Sequence, residues 1–185
     1  MRKDIGPKTW MYPMPVLVIG TYDENGAPNA MNAGWGNIYE EHKVILSIDD
    51  DHKTHENIRK TGAFTVSFAT EDQVIPVDYV GVVSANKEPD KFAKAGFYAT
   101  PSAHVNAPII DEFPLTLECR LLKWNEDGMC IGEIVNVSVE ESLLTEKGKI
   151  DLDKLHPLCL DCFTLTYRSL GEVIGKAFSD GLKLK

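Results

Sequence analysis

The sequence predicts a mainly β domain, a closed or nearly closed antiparallel barrel with short peripheral helices. Residues 16–22 are apolar and β-branched without a helical period, and residues 63–68 alternate between apolar and polar side chains; both patterns are typical of strands. Turn signals at residues 25–26 (Asn-Gly) and 125–128 join strands into hairpins. No repeat or linker interrupts the chain, so we expect one domain over residues 1–185.

The N-terminal half of the chain is expected to supply four strands and one helix. An irregular, aromatic and proline-rich lead-in precedes them. Thr54 is the expected N-cap of the helix, and Gly62, just past its end, is the expected stop. The strands are expected at residues 16–22, 27–35, 43–49 and 63–68, and the helix at residues 54–60.

The C-terminal half is expected to be dominated by one long hairpin. Its first strand alternates between apolar and polar residues, which is typical of a half-exposed antiparallel strand. The expected elements are two short helices within residues 71–96, a loop at 106–114, the hairpin strands 114–121 and 129–139, a charged peripheral segment at 143–155 and a last strand at 163–167.

Composition limits the classes of function. The 185 residues suffice for one core, and the net charge of −9 argues against a non-specific nucleic-acid or acidic-membrane surface. No apolar run has the length of a membrane span or the form of a signal segment, so we expect a cytoplasmic protein with no membrane or nucleic-acid partner. Four cysteines do not form a disulfide framework in a chain of this size, and reduced thiols are expected.

The stretch from residue 28 to residue 57 is the candidate binding site. Small and amide-rich residues lead to Trp35, and such residues let a planar ligand approach the backbone. The hydroxyl-rich start of the predicted helix suits an anion, because its first N–H groups lack intrahelical partners. A flat ring with a phosphate, as in flavin mononucleotide (FMN), would need both halves. The alternative is structural: amides that cap a turn, a core Trp35, and Ser47 and Thr54 as a strand-end hydroxyl and a cap.

Beyond this stretch, the chain resembles the flavin reductase-like, FMN-binding split-barrel family, and within it the flavoredoxin-like branch. The resemblance covers nearly the whole length. The motifs that carry it are Pro28-Asn29-Ala30-Met31 with Trp35; Ser47-Ile48 with Thr54 and Asn57-Ile58; Asp78-Tyr79-x-Gly81-x-x-Ser84 with Asp90-Lys91-Phe92; Ala107-Pro108-Ile109-Ile110 with Pro114 and Leu117-Glu118-Cys119; Gly132-Glu133-Ile134; and Tyr167-x-x-Leu170-Gly171-x-x-x-Gly175-x-Ala177-Phe178.

The resemblance implies an antiparallel Greek-key split barrel that forms a homodimer and binds FMN noncovalently near the subunit interface. It implies an FMN-dependent oxidoreductase or electron-transfer protein and identifies no catalytic side chain. The residues implied at the flavin ring are Asn29, Ala30, Met31 and Asn32 along its edge, Trp35 in its pocket, Lys91 as the flavin-site lysine and Phe163 beside it. The residues implied at the phosphate are Ser47 and Thr54, with Lys53 as their cationic partner. Ile48 and Asn57 belong to the same motifs. For Lys91 the alternative is a solvated helix lysine, and for Phe163 a core aromatic.

Two departures from the family pattern bear on function. Residues 49–51 are three aspartates where many relatives carry an arginine or other neutral-to-basic residues near the phosphate, and three carboxylates facing a phosphate would repel it. We expect them to point away and to favour the helix N-terminus, with a divalent ion that bridges them to the phosphate as the alternative. Residues 128–130 lack the histidine associated with nicotinamide use, which favours a redox partner protein over NAD(P)H as electron donor.

Cysteine and histidine positions leave further alternatives open. Cys159 and Cys162 form a C-x-x-C pair after His156, which fits a redox dithiol, half of a metal site or two half-buried thiols; no metal site is expected. The other four histidines are expected at the surface, and His52 and His55 flank the phosphate turn.

Rival functions are a flavin-binding carrier without turnover, and a split-barrel module that has lost flavin and binds a partner or a metal.

Overall fold

The computed structural model describes residues 1–185 as twelve strands, four α-helices and three 3₁₀ segments. The strands are β1 (Met14–Pro15), β2 (Leu17–Tyr22), β3 (Pro28–Ala33), β4 (Gly36–Glu40), β5 (Lys43–Leu46), β6 (Ala63–Phe68), β7 (Ala99–Pro101), β8 (Pro108–Ile110), β9 (Leu115–Trp124), β10 (Cys130–Val139), β11 (Leu158–Asp161) and β12 (Thr166–Ser169). The helices are α1 (Lys53–Thr61), α2 (Val74–Val82), α3 (Lys91–Lys94) and α4 (Leu152–Leu155), and the 3₁₀ segments are Glu71–Gln73, Glu141–Leu143 and Asp180–Leu184.

Seven strands form one curled antiparallel sheet in the order β3-β2-β6-β9-β10-β5-β4. Strands β3 and β4 follow each other in the chain but lie at opposite edges of the sheet, and they do not pair. The barrel is therefore split between them. The mainly β, antiparallel split-barrel prediction is confirmed.

Strand β2 is buried on both of its faces, which explains its near-continuous apolar run. Leu17 and Ile19 point into the barrel and join a core cluster with Phe64. Val18, on the opposite face, belongs to a second cluster with Val77 of α2. Helices and the C-terminal strand therefore cover the outside of the sheet beside β3.

Three strands form a smaller sheet in the order β1-β11-β12. This sheet joins the end of the N-terminal lead-in to the C-terminal part of the domain, with Met14 opposite Leu160. Trp10 packs edge-on against Phe163 at 5.4 Å between ring centroids, and Tyr12 lies 6.0 Å from the same ring. The predicted irregular lead-in is thus held by aromatic contacts to the turn between β11 and β12.

Five strands of the structure were not predicted, namely β1, β4, β7, β8 and β11, and a sixth, β12, was predicted at a displaced position. Strand β4 was not predicted, because its residues are mostly exposed and carry no apolar alternation. Strand β8 lies inside the predicted loop at residues 106–114. The predicted strand at residues 163–167 is displaced, because β12 overlaps only its last two residues and Phe163 lies in the turn between β11 and β12.

The start of α1 also differs from the expectation. His52 is the N-cap, two residues before the predicted Thr54, and Gly62 ends the helix in the left-handed conformation as predicted. Thr54 is instead buried in the first turn. None of the four helices has both the length and the apolar character that a membrane crossing requires.

Replacing Gly132 of β10 tests the packing of the barrel interior. A Cβ at this position would lie 2.9 Å from Phe64 Cε1 and closer still to Cζ, and Phe64 is fully buried. We expect Gly132→Ala to lower the free energy of unfolding by about 1–3 kcal/mol in urea titrations. Gly171→Ala is the control, because nothing lies within 4 Å of its Cβ. Equal stability of the two variants would contradict this packing.

Candidate functional site

A polar cavity of about 250 Å³ opens where the start of α1 and the end of α2 meet beside β3. Its walls come from β3, the first turn of α1, the end of α2 with the following loop, and α3. The residues that line it are Met31, Asp51, His52, Lys53, Thr54, Val80, Gly81, Val82, Val83, Ser84, Ala85, Asn86, Lys87 and Lys91. Three of these are lysines and one is acidic, so the cavity is cationic in a chain of net charge −9.

Lys91 is the most buried charged group in this cavity, at 3% exposure. Its Nζ donates hydrogen bonds to the carbonyl oxygens of Val80 at 3.0 Å and Val83 at 2.9 Å, at the end of α2. Burial lowers its pKa to about 8, because the buried ammonium loses hydration. An ammonium has three N–H groups, so one donor remains for a ligand in the cavity.

The start of α1 supplies a second source of positive potential. The helix has nine residues, and no side chain caps its N-terminus, so the first backbone N–H groups have no side-chain acceptor. Lys53 lies at this turn and forms an ion pair with Glu56, with 3.0 Å between Nζ and the carboxylate oxygen. An anion in the cavity would meet a helix dipole and two lysines.

Buried amides hold α1 against the sheet. The Asn57 side chain, fully buried, donates to Thr21 Oγ1 of β2 at 3.0 Å, and Asn29 of β3 donates to Thr54 Oγ1 at 2.9 Å. The side-chain oxygens of both asparagines have no partner. The Asn29 bond ties β3 to the first turn of α1, and the Asn57 bond ties the same helix to β2.

A second cavity, of about 190 Å³, lies along β3 and shares the Gly81–Val82 wall with the first. Asn32 Nδ2 donates to the Tyr167 hydroxyl at 3.3 Å, and that hydroxyl donates to Asp78 Oδ1 at 2.8 Å. Burial and the hydrogen bond to Asp78 raise the pKa of Tyr167 to about 12, so the phenol stays protonated at neutral pH. This network joins β12, α2 and β3 around the second cavity.

A close contact between α2 and β3 separates the two cavities. A Cβ at Gly81 would lie 3.0 Å from Asn32 Cβ, so only a residue without a side chain lets the helix approach this closely. The cationic cavity contains Met31 on one side of this contact, and the second cavity contains Asn32 on the other.

The three aspartates before α1 are all exposed. Asp51 is 3.8 Å from His52 Nε2, and its backbone oxygen accepts a hydrogen bond from Asn86 at 3.0 Å. One ligand atom from each of Asp49, Asp51 and His52 lies within 4.8 Å of the others. Asp49 and Asp50 lie outside the lining of the cationic cavity, whereas Asp51 is part of it, so the expectation that all three point away from a phosphate is not met for Asp51. Exposure lets solvent screen its carboxylate.

Five of the twelve residues predicted to contact the cofactor line the two cavities: Met31, Asn32, Lys53, Thr54 and Lys91. Asn29 and Asn57 are buried against them, Ala30 and Ile48 belong to the core, and Ser47 donates its N–H to the Trp35 carbonyl.

Trp35 and Phe163 are 56% and 50% exposed, so both alternatives that placed them in the core are wrong. The solvated alternative for Lys91 is also wrong. Contact of these residues with a flavin stays a prediction.

Several cavity residues were not assigned to the site from the sequence, although Asp78 and Tyr167 belong to the motifs quoted for the resemblance. Lys87 and Asn86 lie in the loop after α2, and Asp78 and Tyr167 form the network of the second cavity. The pair Asp78-x-x-Gly81 held a usable signal, because residues three apart lie on one helix face and both belong to α2. Nothing local indicates that Tyr167, 89 residues later, reaches Asp78.

The remaining histidine and cysteine positions lie outside both cavities, except His52. The expectation of a surface position is wrong for His55, which is 9% exposed and packs against Trp124 with 4.1 Å between ring centroids and the ring planes tilted by 56°. Burial and the neighbouring Arg59 lower the pKa of His55. Cys159 is buried and donates to the Arg168 carbonyl at 3.2 Å, while Cys162 is half-buried.

Comparison with known proteins places this geometry in a family. The sequence model described as "Flavin reductase like domain" matches residues 10–163. Flavoredoxin of Desulfovibrio vulgaris (Miyazaki F) is similar in structure, with a TM-score of 0.94 and 37% identity over 98% of this chain and 100% of that one. Flavoredoxin from Methanosarcina acetivorans has a TM-score of 0.90 and 29% identity over the full length of both chains.

A sequence relative from Archaeoglobus fulgidus, an uncharacterised protein, is 30% identical over 149 residues, which cover 78% of this chain and 81% of that protein. The family match extends from the aromatic lead-in to the turn after β11 and includes every strand of the split barrel. The chain belongs to the flavin reductase-like domain family.

Proposed function

We propose that this protein is an FMN-binding flavoprotein of the oxidoreductase or electron-transfer type, and that it acts as a cytoplasmic homodimer. The observation that carries the proposal is the cationic cavity at the uncapped start of α1, beside an unpaired sheet edge. A bound flavin would supply the redox chemistry, and the residues of this chain would bind it, orient it and shield it from water.

The phosphate of FMN fits the cationic cavity. Lys91 has a free N–H donor and the α1 amides lack a capping side chain, so both would gain a partner from an anion. Thr54 lies in the same first turn and contributes its hydroxyl. A phosphate would also offset the unfavourable burial of the Lys91 charge, which supports an anionic ligand over a neutral one.

The ring of the flavin fits the neighbouring edge strand. β3 pairs with β2 alone, so the N–H and C=O groups of its other edge are free of strand partners. A flavin ring carries donors and acceptors along one edge and suits such a backbone. The Tyr167 hydroxyl and the Asn32 amide bound the adjoining cavity and would limit how far the ring can slide.

Replacing the cavity lysines tests the phosphate position. We expect Lys91→Gln to weaken FMN binding about tenfold or more, because a charge-assisted hydrogen bond is worth roughly 1.5–3 kcal/mol. Lys53→Gln is expected to weaken it less, because Glu56 already pairs with Lys53. Fluorescence titration of the flavin-free protein measures both affinities.

Lys94→Gln is the matched control, because Lys94 belongs to the same short helix as Lys91 but pairs with Glu88 outside the cavity. Equal affinities for the Lys91 and Lys94 variants, with both folded by circular dichroism, would show that the phosphate lies elsewhere.

The pH dependence of binding gives a separate prediction. Above pH 8 the Lys91 ammonium of the flavin-free protein loses its proton. Because the bound phosphate favours the charged ammonium, FMN binding must then take up a proton, and FMN affinity falls as pH rises. We expect FMN affinity to be level between pH 7 and 7.5 and to fall by up to tenfold per pH unit above 8. In Lys91→Gln the slope should vanish; an unchanged slope in that variant would assign it to another group.

The electron donor separates two forms of the proposal. Cys130 occupies the start of β10 and is fully buried, and no histidine is available there, which favours electrons from a redox partner protein over a nicotinamide.

The purified protein should be yellow and release FMN on denaturation. Under anaerobic conditions we expect reduced ferredoxin to bleach it and NADH and NADPH to leave it oxidised. Rapid bleaching by either nicotinamide would establish a reductase instead, and a colourless protein that binds no FMN would refute the proposal.

A further inference from the structure

The C-terminal segment, residues 171–185, carries large apolar side chains that nothing in the same chain covers. Val173 is 85% exposed, and Ile174 and Phe178 are fully exposed. Leu184 is 95% exposed at the end of the same segment. Contiguous exposed apolar residues of this kind mark a surface that contacts another molecule.

This segment nevertheless has a defined local conformation. The Lys176 N–H donates to Asp180 Oδ2 at 2.8 Å, Lys183 pairs with Asp180 at 2.9 Å, and a 3₁₀ turn spans Asp180–Leu184. One such turn is too short to be stable by itself in water. Packing of its apolar side chains against a surface would provide the missing stabilisation.

The chain offers an apolar groove of about 430 Å³ bounded by β1, α4 and β11. Phe68, Leu115 and Leu158 form part of its walls, and Leu152, which is 56% exposed, lies at its rim. The groove is separate from both cavities beside β3, apart from Pro15, which it shares with the second. Its apolar walls do not suit a phosphate or a charged substrate.

The segment borders this groove without entering it. Leu170 lines the groove, and Gly171 and Val173 line a neighbouring cavity with Leu152. The apolar side chains beyond that point are left exposed. The segment also carries three lysines against two acidic residues, within a chain of net charge −9, so the segment and the remainder of the chain are opposite in formal charge.

We propose that the C-terminal segment of a second copy fills this groove, so that two copies exchange their segments reciprocally. Each copy has one groove and one segment, and the reciprocal arrangement closes as a two-fold symmetric pair without open ends. Phe178 and Ile174 act as anchors, and Leu152 contacts them at the rim. The inference rests on the homodimer proposed above and does not depend on the flavin.

Charged substitutions on either side test the contact in the flavin-free protein. We expect Phe178→Asp in the segment and Leu152→Asp in the groove each to weaken dimerisation about tenfold or more, as measured by sedimentation equilibrium. Ile75→Asp is the matched control, because Ile75 is 81% exposed on α2, outside the groove, and should leave dimerisation unchanged. Dimers of unchanged affinity in both test variants would overturn the inference.

Mixing the two weakened variants distinguishes exchange from packing within one chain. A heterodimer of the Leu152→Asp and Phe178→Asp chains contains one intact groove facing one intact segment, so the mixture should dimerise more tightly than either variant alone. Trypsin cleavage after Lys176 gives an independent readout, expected to be slow in the unaltered protein and fast in Leu152→Asp. Slow trypsin cleavage of the segment in a monomeric protein would show that the segment packs on its own chain. That result, or a mixture whose dimer affinity does not exceed that of either variant alone, would overturn the exchange.

Discussion

The site depends on an unpaired sheet edge. Strand β3 bonds to β2 on one side, and its successor in the chain, β4, lies at the far edge of the same sheet. An open edge exposes backbone donors and acceptors, which proteins cover or pair. Here α1 and α2 are held beside this edge by buried amide contacts and by the close approach at Gly81, and the cavities form between them.

The second constraint is electrostatic. The chain carries nine more acidic than basic residues, yet it concentrates lysines and an uncapped helix start around one small volume. Lys91 is buried there with two carbonyl partners and no carboxylate, an arrangement that costs free energy in the absence of an anion. Nearby acidic groups are exposed or already paired, as Glu56 is with Lys53, so they do not cancel the local field.

Local sequence patterns predicted six of the seven strands of the large sheet, because buried strands demand apolar, β-branched runs and hairpins need particular turn residues. They failed where the residues are exposed, as in β4, or where a neighbouring element decides the pairing, as for β11 and β12. The shift of the α1 N-cap from Thr54 to His52 has the same origin: the Thr54 hydroxyl is engaged by Asn29 across the interface. Propensity at a helix start yields to such a tertiary contact.

The amino-acid sequence by itself determined the split-barrel class, the approximate position of the site at the end of β3 and the start of α1, and the basic residues available to it. Only the tertiary structure decided that Lys91 is buried in that site, that Tyr167 reaches Asp78 and Asn32, and that Trp35 and Phe163 are exposed. The physical reason is that strand patterns and turns follow from neighbours in the chain. The environment of a side chain depends instead on which distant elements pack against it.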